Sequence, residues 1–164
     1  MGIYLDHAAT TYTEKAVFEA MRPYFEDFFG NPSSQHGFGR AAEKAVMKAR
    51  GQVAALIGAD SADIYFTAGG TESDNWAIKG VAEAAGSGHI ITSSVEHHAV
   101  LDTCRYLEGR GFDVTYLPVD ELGRVNPDDV QKAIRGDTIL ISIMTANNET
   151  GTIMPIREIG RIAR

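Results

Sequence analysis

The chain has 164 residues, 44% of them apolar, which is enough for one domain with a sizeable core and too apolar for a disordered chain. Its 15 basic and 22 acidic residues give a net charge of −7 with no cluster of lysine or arginine, so a nucleic-acid or anionic-membrane partner, each of which needs a basic face, is not expected. A single cysteine excludes an internal disulfide, Cys-x-x-Cys metal spacing is absent, and no segment is apolar enough to span a bilayer, so a cytoplasmic setting and no metal site are expected.

Residues 1–13 read as an extended arm, too small and polar for a core strand. From about Glu14 to Phe28 the residues Val17, Met21, Tyr24, Phe25 and Phe28 recur at helical spacing, and Pro23 should split that helix. Gly30-Asn31-Pro32-Ser33-Ser34 breaks the pattern before a longer helix from about Phe38 to Ile57, closed by Gly58. Strands are then predicted at 63–67, 89–93, 113–117 and 138–144. They alternate with helices at 72–85, 97–110, 127–134 and from Ile156 onward. That alternation predicts an α/β fold, a mostly parallel sheet with flanking helices. The run Thr138 to Met144 is apolar almost throughout and is expected inside the sheet, covered on both faces. The helix from Ile156 has neither a closing signal nor a strand after it, from which the chain is expected to be the N-terminal piece of a longer protein.

Ligands of parallel sheets collect beyond the carboxyl ends of the strands, and three polar loops are expected there. In Phe66-Thr67-Ala68-Gly69-Gly70-Thr71-Glu72-Ser73-Asp74-Asn75 two glycines precede a helix start, an arrangement that aims backbone N–H groups at a phosphate. The same residues also fit a plain helix start, with Thr71 and Asp74 at capping-box spacing. Ser93-Ser94-Val95-Glu96-His97-His98 carries two histidines too close together to ligate a metal from one helix face, though one ring can face a cleft while the other caps a helix or meets solvent. Asn147-Asn148-Glu149 offers amides to a hydroxyl, a carboxylate or a ring oxygen, or forms an ordinary turn. Cys104 shares a helical stripe with Val100, Leu101 and Leu107 and reads as core rather than nucleophile.

Taken in order, Tyr4-Leu5-Asp6-His7-Ala8-Ala9-Thr10-Thr11, Gly30 to Ser34 with His36, the Phe66 to Asn75 loop, Thr92 to Leu101 and Asn147-Asn148-Glu149-Thr150-Gly151 resemble the class V aminotransferase superfamily of pyridoxal-phosphate enzymes, and within it the cysteine desulfurases. The resemblance implies the N-terminal part of the large domain of a fold-type I enzyme, over residues 14–164. It implies pyridoxal 5′-phosphate as cofactor, held by Gly70 and Thr71 at the phosphate, by His97 stacked on the ring and by Asn148 near the ring oxygen. His97 would also act catalytically by moving protons. L-cysteine would be the substrate, a sulfur-acceptor protein the partner, and a homodimer the assembly.

The lysine that bonds the cofactor, the aspartate at the pyridine nitrogen, the substrate-binding arginine and the mobile cysteine of that family come later than this chain reaches. Lys79 and Lys132 lie at the wrong places to substitute. The 164 residues alone are therefore expected to be inactive, to bind the cofactor weakly without a covalent bond, and to expose sheet edges that favour self-association. The alternatives are a selenocysteine lyase or other class V enzyme, and a noncatalytic scaffold or binding module on the same fold. A nucleotide-phosphate module is disfavoured, since neither G-x-G-x-x-G nor G-x-x-x-x-G-K-[ST] occurs.

Overall fold

A computed structural model describes residues 2–164; Met1, the first residue of the predicted arm, lies outside the described residues. The chain forms two compact units, one ending at Phe66 and the other running from Thr67 to Arg164.

In the first unit residues 2–14 form neither helix nor strand. Proline, which lacks an N–H, divides the helix predicted from Glu14 into α1 (Lys15–Met21) and α2 (Pro23–Glu26), taking the first position of the second piece. Helix α3 (Gly37–Ile57) is capped by His36, whose Nδ1 accepts the Gly39 N–H at 3.3 Å. Gly39 lies so close to the preceding turn that a Cβ would come within 2.0 Å of the Ser34 carbonyl oxygen, so only glycine fits there. The strand predicted at 63–67 does not form. Ser61–Asp63 is a 3₁₀ turn, and the next residues pair with no ladder among the described residues. The Ile64 carbonyl instead accepts a hydrogen bond from the Arg50 guanidinium, which also lies 5.3 Å from the Phe66 ring centroid. Residues 64–67, of strand-like composition, remain irregular where a side chain, rather than a neighbouring strand, bonds the Ile64 carbonyl.

The second unit holds a parallel sheet of β1 (His89–Ser93), β2 (Asp113–Leu117) and β3 (Thr138–Ser142) in the order β2-β1-β3. Around it lie α4 (Gly70–Ala85), α5 (His98–Glu108), α6 (Pro127–Ala133) and α7 (Ile156–Ile162). Every residue of β1 is buried, and the two-residue period of a strand sorts its side chains between two cores. Ile90 packs with Ile78, Ala82, Val100 and Cys104 from α4 and α5, whereas Ile91 packs with Val125, Val130 and Ile159 on the side of α6 and α7. The α/β architecture with helices on both faces is as the alternation predicted.

Strand β3, expected inside the sheet, lies at its edge and is half-buried along its length. Ile139 and Leu140 pack against one core and Ile141 against the other, so its apolar run reflects two covered faces, not two neighbouring strands. At the foot of the sheet the buried His89 bridges both neighbours, with Nδ1 2.9 Å from the Thr138 hydroxyl and Nε2 2.8 Å from that of Thr115. The pairing then slips by one residue. His89 faces Thr138 and Ile90 faces Leu140, leaving Ile139 without a partner in the register. Gly88 makes room for it, since its φ of 140° suits glycine and a Cβ would meet Ile139 Cγ2 at 2.8 Å. No helix among the described residues is long and apolar enough to cross a membrane.

Candidate functional site

The Gly69-Gly70 loop begins α4, but not through the predicted capping box. Gly69 is the N-cap, so Thr71 falls inside the first turn and cannot cap it. Glu72, at the third helical position, reaches back to accept the Ala68 N–H at 2.6 Å, and the hydroxyls of Thr67 and Ser73 meet at 2.6 Å across the turn. The Thr71 hydroxyl has no hydrogen bond among the described residues, and the first N–H groups of α4 have no helical carbonyl to bond. Neither glycine answers a need of the chain itself. Neither has a left-handed φ, and a Cβ on either would meet nothing within 4 Å. What they keep open is the approach to those N–H groups, which suits a phosphate at the positive end of a 16-residue helix.

His97 is the N-cap of α5, with its Nδ1 accepting the Ala99 N–H at 3.1 Å, and the ring is exposed. Capping and facing a cleft prove compatible here, because the imidazole lines two clefts. One, of about 390 Å³, it shares with Thr71, Asn75, Lys79 and His98. The other, of about 320 Å³, it shares with Asp74, Glu96, Ser142, Met144 and Asn148. His97 thus shares a wall with Thr71 on one side and with Asn148 on the other, while Gly70 directly precedes Thr71 at the helix start. His98 lines only the first of these clefts, its ring centroid 6.4 Å from that of His97.

Two side chains hold these walls together, Glu96, not singled out from the sequence, and Asn147, read there as one of a trio offering amides to a ligand. Glu96 is buried, and its Oε1 accepts both the Ser93 hydroxyl and the Met144 N–H at 2.8 Å, so the loop after β1 is bonded to the loop after β3. Burial pushes the Glu96 carboxyl above its ordinary range, with those two bonds working against the shift. Asn147 makes a second tie, donating from Nδ2 to the Val95 carbonyl at 3.0 Å, while its Oδ1 accepts the N–H groups of Glu149 and Thr150. An antiparallel bridge between Ala146 and Ile153 closes this loop, which presents the exposed Asn148. A carboxylate three residues past a predicted strand was the one sequence signal for Glu96, since such a charge needs partners wherever it is buried. Cys104 is fully buried and its thiol is pushed up to about 11, in keeping with a core role. No group of three or more His, Cys, Asp or Glu among the described residues is placed to hold a metal ion.

Comparison with known proteins identifies the family of the chain. The chain is 60% identical to a protein named cysteine desulfurase IscS from Methanosarcina thermophila, over 99% of this chain and 41% of that protein. A second cysteine desulfurase IscS, from Dictyoglomus turgidum, is also 60% identical, with 99% and 42% covered. The chain therefore spans about 41% of the length of these relatives. Among solved structures, a NifS-like protein superposes with a TM-score of 0.96 at 44% identity, over 99% of this chain and 45% of that one. SspA in complex with cysteine gives 0.93 at 46% identity, over 98% and 47%. The family model described as aminotransferase class-V matches residues 3–164, and the chain belongs to the class V aminotransferase family.

Proposed function

We propose that this chain forms the phosphate-facing and ring-facing part of a pyridoxal 5′-phosphate site in a cysteine desulfurase, an enzyme that takes sulfur from L-cysteine, leaves L-alanine and passes the sulfur to an acceptor protein. The observation that carries this reading is His97 standing between two clefts, one shared with Thr71 and the other with Asn148. The names of the relatives, and the similar structure of SspA in complex with cysteine, support the same chemistry. A homodimer, with iron–sulfur cluster assembly as one destination of the sulfur, belongs to this reading.

When bound, the cofactor supplies an electron sink for bond cleavage at the amino acid. The chain's own part is to bind and orient. The N–H groups at Gly70 and Thr71, with the Thr71 hydroxyl, hold a phosphate dianion at a helix end. The exposed His97 ring offers a flat face for stacking and a nitrogen that takes or gives a proton. Asn148 donates its amide to a ring oxygen or to the substrate carboxylate. Sulfide and alanine release from L-cysteine by the longer protein tests the activity; a protein that binds the cofactor and turns over another amino acid instead would overturn it. For the 164 residues alone, binding of pyridoxal 5′-phosphate is expected to reverse fully on dialysis. After borohydride reduction, peptide mass mapping should find no modified lysine; an adduct at Lys79 would contradict noncovalent binding.

A further inference from the structure

We propose that Glu96 is a positioning residue that sets the facing of His97 and Asn148 across their shared cleft, an inference that rests on reading that cleft as a cofactor-ring site. His97 and Asn148 lie on different loops, and nothing in the sheet ladder joins those loops beyond Ser93 and Ser142. Past the ladder, the link from Glu96 Oε1 to the Met144 N–H spans 48 residues of sequence, and the link from Asn147 to the Val95 carbonyl spans 52. Glu96 is next to His97 in the chain, and Asn147 is next to Asn148. Each wall of the cleft is therefore tied to the other through the immediate neighbour of the residue it presents.

Both bonds to the Glu96 carboxylate fall on one oxygen, Oε1, while among the described residues no hydrogen bond falls on Oε2. A glutamine can supply that accepting oxygen and place its NH₂ where Oε2 lies, so the carboxylate's charge is not what the brace requires. Ser93 is fully buried and donates to the same oxygen, which fixes the direction from which Glu96 reaches Met144.

Amide hydrogen exchange on the ligand-free chain, followed by NMR in wild type, Glu96→Ala and Glu96→Gln, tests the brace. In Glu96→Ala the amides of Met144, Ala99 and Glu149 should exchange roughly tenfold faster, while those of Ile78 and Ile90 hold their rates; Glu96→Gln should restore the wild-type pattern. Uniform acceleration including Ile78 and Ile90 would make Glu96 a general stabiliser and overturn the proposal, as would unchanged rates at Met144 and Ala99. If Glu96→Ala does not fold, Ser93→Ala removes one of the two bonds and should give a smaller change at the same amides. A second measurement compares ligands. Glu96→Ala should weaken pyridoxal 5′-phosphate about tenfold and leave inorganic phosphate unchanged, because only the ring meets the braced walls. Equal loss of both ligands, or loss of neither, would overturn positioning. Failure of the wild-type chain to prefer pyridoxal 5′-phosphate over inorganic phosphate would overturn the cofactor-ring reading instead, and the exchange pattern would still decide the brace.

Discussion

Thr71 separates a binding role from a helix-starting one, because its side chain does not cap α4 and its hydroxyl has no hydrogen-bond partner among the described residues. Thr71→Val keeps the shape of the residue and removes only the donor. It should weaken pyridoxal 5′-phosphate and inorganic phosphate roughly 10- to 100-fold by calorimetry, the range for a hydrogen bond to a charged group, with an unchanged urea midpoint. His89 makes a prediction of a different kind. Burial, with Arg135 adding to it, lowers its pKa from the ordinary 6.5, so on acidification the unfolded chain takes up the proton first. The stability this histidine contributes is then complete above its unfolded value and is lost as the pH falls through its folded one. Urea midpoints should therefore decline as the pH falls below about 6.5, and His89→Gln should flatten that decline. Glu96 acts in the opposite sense. Its pKa is raised from 4.5, so above that value the unfolded carboxyl ionises first and stability falls with rising pH until the folded group follows.

Among the elements, the foot of the sheet gives the sharpest test. Gly88→Ala places a Cβ against Ile139 and the Asp137 carbonyl at a φ of 140°, and should cost about 2 kcal/mol or more in urea unfolding. A wild-type midpoint would mean that the unpaired Ile139 can retreat. Most elements were legible in the sequence. The strand and helix rhythm after residue 85, the break at Pro23 and the buried face of Cys104 all follow from periodicity and from proline's missing N–H. What periodicity did not carry was pairing. Residues 63–67 look like a strand, yet a strand exists only where a neighbour takes its hydrogen bonds, and Arg50 takes one instead. The apolar run of β3 records covered faces, which an edge strand can also have. At the candidate site, the three polar loops stood out by residue type and position and the family resemblance singled out Gly70, Thr71, His97 and Asn148 within them, whereas the Glu96 brace depends on a contact across 48 residues that no local pattern encodes.

For the molecule as a whole, apolar surface is the dominant property. Val17 on α1, Phe25 on α2 and Phe28 just after it are each at least half exposed, as is Leu56 on α3, and β3 has a strand on only one side among the described residues. Both features favour association, opposed by the self-repulsion of a net charge of −7. Sedimentation velocity should show a weight-average mass that rises with concentration and rises further with added salt, which screens that repulsion. A constant monomer mass would show that these surfaces do not recruit one another. The slipped register of β3 also leaves it one residue to spare. From His89 to Thr92 the central strand advances three positions while β3 uses four, Thr138 to Ser142. Deleting Ile139 would let Thr138 and Leu140 face His89 and Ile90 in unbroken succession and leave Met144 within reach of Glu96, whereas deleting Ile141, which holds a place in the register, would draw the residues after it back by about 3.3 Å and part that bond. The cleft at one end of the sheet is thus buffered against the loss of one residue at the other and exposed to the loss of any residue between.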